Sequence, residues 1–418
     1  MKRKVGIIGL GYVGLPLAML FHSKDFNVIG IDIDPFKLSE YKKGKSYLST
    51  ITNEEMTALR NTATFSFTDD FSAIGEVDVI ILCVPTPLSE THQPDLTYIQ
   101  AALNAATPYI KRNQVIILES STYPGTTEEV IKPTLEKMGR TVGVDIFLGY
   151  SPERIDPGNQ TLPFEQIPKI VSGVTEACLN QVESIYESVF ESLVPVTSPK
   201  VAEMTKLVEN TQRFINISFI NDIGRLCHVM DIDIWDVVKA ASTKPYGFTP
   251  YFPSAGIGGH CIPVDPLYLK WKAEQLRLKT PFIDLAKKIN DEQPRYVVNR
   301  ITHLLKRNMV TPQSKLLLIG LTYKPNTNDV RESSAITIFE ELVSAGYLVS
   351  YHDPYIENIT INREEKKASS LDNLGDYDCI VLLCNHSQLD YQRILNEAQL
   401  IFDTRNCFED NYSHVYRL

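Results

Sequence analysis

The stretch KVGIIGLGYVGLPLA, from Lys4 to Ala18, changes character at its centre. Its first half is short, rich in Val and Ile and near-continuously apolar, the pattern of a strand buried on both faces of a parallel sheet. Its second half begins a helix pattern, and between the two Gly9, Gly11 and Gly14 stand in G-x-G-x-x-G spacing. In that spacing the glycines serve a tight turn, a close backbone approach to a pyrophosphate, and close helix–strand packing. The helix N-terminus then presents unpaired N–H groups to phosphates. Further on, NVIGIDI (27–33) reads as the second strand and ends near Asp32, about 20 residues along. A carboxylate there accepts hydrogen bonds from ribose hydroxyls and repels a 2′-phosphate, which favours NAD over NADP. The competing reading makes the glycines plain turn residues and Asp32 a solvent-facing strand end.

Outward from this unit the rhythm repeats. VDVIILCV (77–84) and QVIILES (114–120) are further strand-like runs separated by helix-like segments, so a doubly wound sheet is expected. The loops PTP (85–87) and SSTYPGT (120–126) follow two of these strands, at the carboxyl edge where ligands bind. Ser121 and Thr122 are either bland loop hydroxyls or groups that touch a ligand or a water. From about 197 to 242 the pattern turns helical, with apolar residues at 201, 204, 207, 208, 214, 215 and 219 and with Pro199 suited to a first helical turn. A Pro/Gly-rich segment (245–266) follows, then more helix to about 309. KLLLIGLTY, AITIFEELVSAG, YLVSYHDP, DCIVLLCN and LIFDT restore the βαβ rhythm from 315. The expected fold is α/β: two doubly wound Rossmann-like domains (1–196 and 310–418) joined by a helical middle domain (197–309) with a long central helix. A cleft between the two sheets is the expected place for chemistry.

The totals narrow the function classes. The chain has 418 residues, 43% apolar and 22% charged, ordinary globular values for two or three domains. A net charge of -10 argues against nucleic-acid binding, yet leaves room for a local basic pocket around an anionic small molecule. The seven cysteines include no CxxC pair, so neither a disulfide framework nor a metal site is expected. Lys2-Arg3-Lys4 before an apolar run imitates a signal peptide, but the glycines interrupt it. No stretch reaches the roughly 18–20 uninterrupted apolar residues of a membrane span. A soluble, cytoplasmic protein is the expectation.

Two clusters carry possible chemistry. EMTKLVEN puts Lys206 and Asn210 at i, i+4 on one helix face. They are either a solvated lysine with a bridging asparagine, or an ammonium and an amide aimed at a developing oxyanion. GIGGHCIPVDP (256–266) sets Cys261 behind bare backbone, with Asp265 four residues on. A buried structural thiol and a nucleophile both remain open there.

Seven ordered motifs make the chain resemble the UDP-glucose/GDP-mannose 6-dehydrogenases along essentially its whole length. They are GLGYVGLPLA, PTP, SSTYPGTT, SPERIDPGN, EMTKLVENTQRFINISFINDI, GIGGHCIPVDP and TYKPNTNDVRES. The resemblance implies a four-electron oxidation of a sugar-nucleotide C6 alcohol to a carboxylate, with two NAD reduced, for surface polysaccharide precursors. It makes Cys261 the nucleophile, because a thiohemiacetal can release the second hydride and leave a thioester for water. It gives Lys206 and Asn210 oxyanion stabilisation, Thr122 and Glu153 the catalytic water, and Asp265 the place of companion carboxylate. Lys206 is also the candidate for favouring the thiolate. The cofactor set it implies is Gly9, Gly11, Tyr12, Val13, Gly14, Asp32, Lys37, Pro85, Thr86, Ser121, Thr122 and Arg331. The UDP-sugar falls to Glu153, Arg154, Lys206, Asn210, Gly258 and Lys324, with a surface position in its Pro-Asn-Thr-Asn loop as the alternative for Lys324.

The same motifs speak about the sugar. UDP-glucose enzymes generally have a GGSCFxKD-like cysteine loop, whereas here GGHCIPVD places Pro263 and Val264 at the last variable positions. SPERIDPGN likewise departs from NPEFLREG. Both variants resemble the branch acting on UDP-N-acetylhexosamines, especially UDP-N-acetylglucosamine. Within that branch PGPGIGGHC is usual, and Ser254 and Ala255 depart from it. Competing readings are a 6-dehydrogenase of UDP-glucose or of UDP-N-acetylmannosamine or -galactosamine, a one-step NAD alcohol dehydrogenase with Cys261 incidental, and a non-catalytic nucleotide sensor. The resemblance also implies a homodimer, formed through the long helix near 199–225, with internal core as the alternative reading of that helix's apolar face.

Overall fold

The computed structural model describes residues 3–48, 50–155 and 162–418. Lys2 of the basic start and residues 156–159 of SPERIDPGN lie outside the described residues. The chain forms two compact units, Met1–Glu209 with Leu267–Lys279, and Asn210–Pro266 with Thr280–Leu418.

The first unit is built on an eight-stranded sheet in the order β3-β2-β1-β4-β5-β6-β7-β8. Its strands are β1 (Lys4–Ile8), β2 (Asn27–Ile31), β3 (Phe65–Thr68), β4 (Val79–Leu82), β5 (Val115–Leu118), β6 (Phe147–Tyr150), β7 (Lys169–Gly173) and β8 (Leu193–Pro195). All neighbours pair in parallel except β6 and β7. The Val/Ile runs of β4 and β5 are buried at every position, as expected of strands covered on both faces. Strand β1 lies between β2 and β4, so the order reverses beside it, and the glycine turn sits at this switch point. The core behind it joins Val5, Ile7, Leu17 and Phe21 to Val79, Ile81 and Ile117.

The second unit carries a five-stranded parallel sheet, β10-β9-β13-β14-β15, and a separate hairpin, β11-β12. The strands are β9 (Lys315–Ile319), β10 (Leu348–His352), β11 (Asn358–Ile361), β12 (Glu364–Lys367), β13 (Cys379–Leu382), β14 (Ile401–Asp403) and β15 (Val415–Arg417). Its switch point repeats that of the first unit. The Gly9 N–H donates to the Ile31 carbonyl at 2.8 Å, and the Gly320 N–H donates to that of His352 at 2.9 Å. Asp32 accepts from Leu10 N–H at 2.8 Å, and Asp353 accepts from Leu321 N–H at 2.7 Å. Both sheets are therefore Rossmann-like at the turn after their first strand.

The long helix covers Pro199–Val229. It stops where Asp231 takes φ 57° and Asp233 caps a second helix (Ile234–Ala241) by accepting from Trp235 N–H at 2.8 Å. Helices Asp265–Gln275 and Pro281–Arg307 follow the cysteine loop.

Candidate active site

In the first unit the glycines are held by shape. Gly9 has φ +91°, and a side-chain carbon there would meet the Cys83 carbonyl oxygen at 2.7 Å. One at Gly14 would strike Gly9 O at 1.8 Å, whereas Gly11 has nothing within 4 Å. The helix from Gly14 to Ser23 has no side-chain cap, and Tyr12 and Val13 lead into it half-buried. Asp32 is nearly buried; beyond Leu10 N–H it accepts from Asp34 N–H at 3.0 Å and from Lys37 Nζ at 2.7 Å. The Tyr47 hydroxyl, which the motif spacing did not reveal, donates to Leu10 O at 2.8 Å beside it. The loops after β4 and β5 are tied by Thr86 Oγ1 to Ser121 O at 2.7 Å and by Ser120 Oγ to Val84 O at 2.7 Å. The Tyr268 hydroxyl donates to Thr86 O, while Pro85 is exposed.

Two side chains along this edge carry unspent buried oxygens. Thr122 is fully buried, yet its Oγ1 has no hydrogen-bond partner among the described residues. Glu153 accepts through Oε1 from the N–H groups of Arg154 (2.6 Å) and Ile155 (2.5 Å), and its Oε2 has no such partner. Leaving buried polar atoms unmade is costly, so such atoms point to a ligand or a water. Arg154 spans Pro168 O at 2.8 Å and Glu209 Oε1 at 2.7 Å. Lys206 is half-buried on the long helix, and its ammonium makes no side-chain hydrogen bond or ion pair among the described residues. One turn before it, Glu203 is fully buried and accepts from Gly125 N–H (2.5 Å), Thr127 N–H (2.9 Å) and Thr127 Oγ1 (2.7 Å). That carboxylate ties the loop bearing Ser121 and Thr122 to the helix bearing Lys206. Burial pushes its pKa up to about 7, against the pull of those three donors.

In the second unit the cysteine loop is assembled from backbone turns and buried amides. Asp265 N–H and Val264 N–H donate to Cys261 O at 2.8 and 3.1 Å, and Asn210 Nδ2 donates to the buried Asp265 carboxylate at 2.5 Å. Gly259, at φ +91°, donates to Arg331 O at 3.0 Å, and a side-chain carbon there would enter the Tyr323 ring at 2.6 Å. One at Gly258 would meet Glu332 O at 2.5 Å. The loop therefore needs its glycines in order to lie against the 323–332 segment. Ser254 N–H donates to Asn221 Oδ1 at 2.8 Å, Gln293 Nε2 donates to Ser254 O at 2.8 Å, and Ile257 N–H donates to Asn290 Oδ1 at 2.7 Å. Ala255 packs into the core beneath. The unusual Ser-Ala pair is thus anchored without the missing Pro and Gly. His260 is half-buried, and burial followed by the Arg331 charge holds its pKa down.

The 322–331 segment has its own anchor, absent from the motif reading. His386, fully buried, accepts at Nδ1 from Asn326 N–H (3.1 Å), which leaves Nε2 to carry the proton toward Asp353 Oδ2 (3.2 Å). Burial alone would raise the Asp353 pKa; the His386 bond and the N–H groups of Tyr355 and Leu321 outweigh it and hold it low. On this segment Lys324 is half-buried beside the Tyr323 ring, and Arg331 is exposed and paired to Asp329 at 2.6 Å.

Comparison with known proteins places this arrangement. Residues 3–190 match the NAD binding domain of the UDP-glucose/GDP-mannose dehydrogenase family, 200–292 its central domain and 317–410 its UDP binding domain. The chain belongs to this family. A UDP-N-acetyl-D-glucosamine 6-dehydrogenase of Pseudomonas aeruginosa is 36% identical over 422 residues, covering 99% of each chain. A UDP-N-acetyl-D-mannosamine dehydrogenase of Methanocaldococcus jannaschii is 32% identical, covering 97% of this chain and 92% of its own. Among solved structures, a UDP-D-ManNAc dehydrogenase of Pyrococcus horikoshii superposes with a TM-score of 0.88 at 27% identity, over 99% of this chain and 98% of its own. As a member of the family the chain is an NAD-dependent nucleotide-sugar 6-dehydrogenase. The open Gly11, the uncapped helix start and the buried Asp32 carboxylate fit the dinucleotide. No helix among the described residues is long and apolar enough to cross a membrane.

Proposed function

We propose that the chain oxidises C6 of a UDP-N-acetylhexosamine, UDP-N-acetylglucosamine first among them, from alcohol to carboxylate through a covalent intermediate on Cys261. The observation that carries this reading is exposure: of the seven cysteines Cys261 alone is exposed, while five are buried and Cys407 is half-buried. A structural thiol belongs inside; an exposed one in a glycine-lined loop, braced by a buried carboxylate, suits attack on a carbonyl.

NAD, when bound, takes up the hydride in each of the two oxidations. Lys206 and Asn210 supply an ammonium and an amide to the sugar oxygen as it gains negative charge. The Cys261 thiolate adds to the C6 aldehyde, giving a thiohemiacetal whose oxidation leaves a thioester. Glu153 Oε2 and Thr122 Oγ1 hold the water that cleaves it, and the leaving thiolate returns to Cys261. One water is consumed, and three protons leave with two reduced cofactors. Asp32 and Lys37 take the adenosine ribose, with Pro85, Thr86, Ser121 and Arg331 completing the cofactor side; Arg154, Gly258 and Lys324 serve the UDP-sugar.

The sugar assignment is supported by Pro263 and Val264 in the cysteine loop and by the relatives near 35% identity that carry the N-acetylglucosamine name. N-acetylmannosamine is the second reading, favoured by relatives at 30–32%. A dimer through the long helix, in the cytoplasm, accompanies the proposal, since Val201, Met204, Val208, Phe219 and Leu226 stand exposed along it. The test is a panel of UDP-glucose and the UDP-N-acetyl derivatives of glucosamine, galactosamine and mannosamine, with NADH counted per sugar. Two equivalents, an acid product and the highest kcat/KM for UDP-N-acetylglucosamine are expected. One equivalent with a surviving aldehyde would sink the covalent route.

A further inference from the structure

Beneath Glu153 the first unit seals a charged cluster that none of the assigned roles uses. Lys169, the first residue of β7, is 3% exposed. Its Nζ donates to Glu119 Oε2 at 2.7 Å and to Pro152 O at 3.3 Å, and lies 3.6 Å from Glu153 Oε2. The rings of Tyr186 and Phe190 cover it at 5.4 and 5.3 Å. Glu119, just after β5, receives the Tyr186 hydroxyl on its other oxygen. With Oε1 of Glu153 held by two backbone N–H groups, Oε2 is the oxygen left facing the ammonium.

A buried ion pair is weak evidence for stability, because an apolar pair of similar volume does as well or better. Here the cation reaches past its partner to a second carboxylate oxygen that it pairs by charge and that accepts no hydrogen bond. We propose that Lys169 is a positioning residue for Glu153: its ammonium fixes the charge on Oε2, and Glu119 sets how much of that field Glu153 feels. The inference rests on the water-handling role given to Glu153.

The groups facing this carboxylate are few. Lys169 comes from β7, Glu119 from the end of β5, Tyr186 from the helix Glu176–Tyr186 and Cys83 from the end of β4. Arg154 adjoins it, already paired to Glu209. Burial keeps the Cys83 thiol and the Tyr186 phenol neutral. Burial would lower the Lys169 pKa, but Glu119 and Glu153 overcome it, so the ammonium stays charged. Lys169 is therefore the local cation, and Glu119, whose pKa burial pushes up against the pull of Lys169, is the acidic group nearest to it.

Infrared difference titration, with the carboxyl band assigned through Glu153→Gln, reads the charge on Glu153 without turnover. Lys169→Met removes the cation facing Glu153 Oε2, so the carboxyl transition moves to higher pH than in the wild type. Glu119→Gln removes the counter-charge and moves the transition down, while Lys169→Arg leaves it near the wild-type position. The acid limb of kcat against pH follows in each variant. A band and a limb fixed at the wild-type position in both Lys169→Met and Glu119→Gln overturn the proposal, however much rate is lost. If Lys169→Met does not fold, the Glu119→Gln titration decides alone. If the wild type oxidises no UDP-sugar, the functional reading falls, and the infrared titration still decides the role of the ion pair.

Discussion

Asn210 donates its side-chain amide to the Asp265 carboxylate at 2.5 Å, and both groups are buried. Because Asp265 N–H also closes onto the Cys261 carbonyl at 2.8 Å, one residue couples the helix amide to the turn that presents the thiol. A buried carboxylate deprived of its donor, or a donor deprived of its acceptor, disturbs that turn. Asp265→Asn is accordingly expected to lower kcat by about 10²–10³ while the affinity for NADH stays as in the wild type. Steady-state rates and a fluorescence titration of NADH test this. Loss of cofactor binding in parallel with rate would place the effect on folding instead.

The exposed thiol makes a sharper forecast. Cys261 should be the one cysteine alkylated rapidly by iodoacetamide in the native protein, since the others are buried or half-buried. Cys261→Ala should retain cofactor affinity and form no thioester. Peptide mapping after a brief exposure reads the first result, and NADH release over a single turnover reads the second. A variant producing uronic acid at the normal rate removes the covalent mechanism.

What the sequence made legible follows from range. Strands β1, β2, β4 and β5 declared themselves because strands covered on both faces need unbroken apolar runs. Strand β3 (FSFT) and β12 (EEKK) did not, since short or charged edge segments carry no such run. The motif residues were visible because turns and helix starts act within a few positions. Their supports were invisible for the opposite reason. Glu203 holds Thr127 across 76 positions, Lys169 holds Glu119 across 50, and His386 holds Asn326 across 60. A charge adjoining an apolar strand, as at Glu119 and Lys169, was the available hint, because a charge drawn into such a strand must be paired.

Coenzyme choice depends on Asp32 and its neighbour. Lys37 sits 2.7 Å from the Asp32 carboxylate, so removing the carboxylate leaves an unpaired ammonium at the proposed ribose position. Asp32→Ala is expected to weaken NAD use and relieve the repulsion of a 2′-phosphate, moving the NADP/NAD ratio of kcat/KM up by tenfold or more. Adding Lys37→Ala should cancel most of the gain. A ratio unchanged in Asp32→Ala would show that this carboxylate does not set the choice.

Glu203 predicts a pH dependence of stability with a definite sign. Its pKa is pushed up from 4.5 to about 7 by burial, so the folded chain holds a proton that the unfolded chain has released across that interval. The stabilisation from this group is complete below pH 4.5 and is lost as pH rises through about 7. The 2.5-unit gap corresponds to about 3 kcal/mol. Glu203→Gln keeps an acceptor for the Gly125 N–H and has no proton to release. Its unfolding free energy should match the wild type near pH 4.5 and exceed it at pH 8, so that the two denaturation curves diverge between those limits. Parallel pH profiles would mean that the three donors from Gly125 and Thr127 offset burial and leave this carboxyl with the same pKa in the folded and unfolded chain.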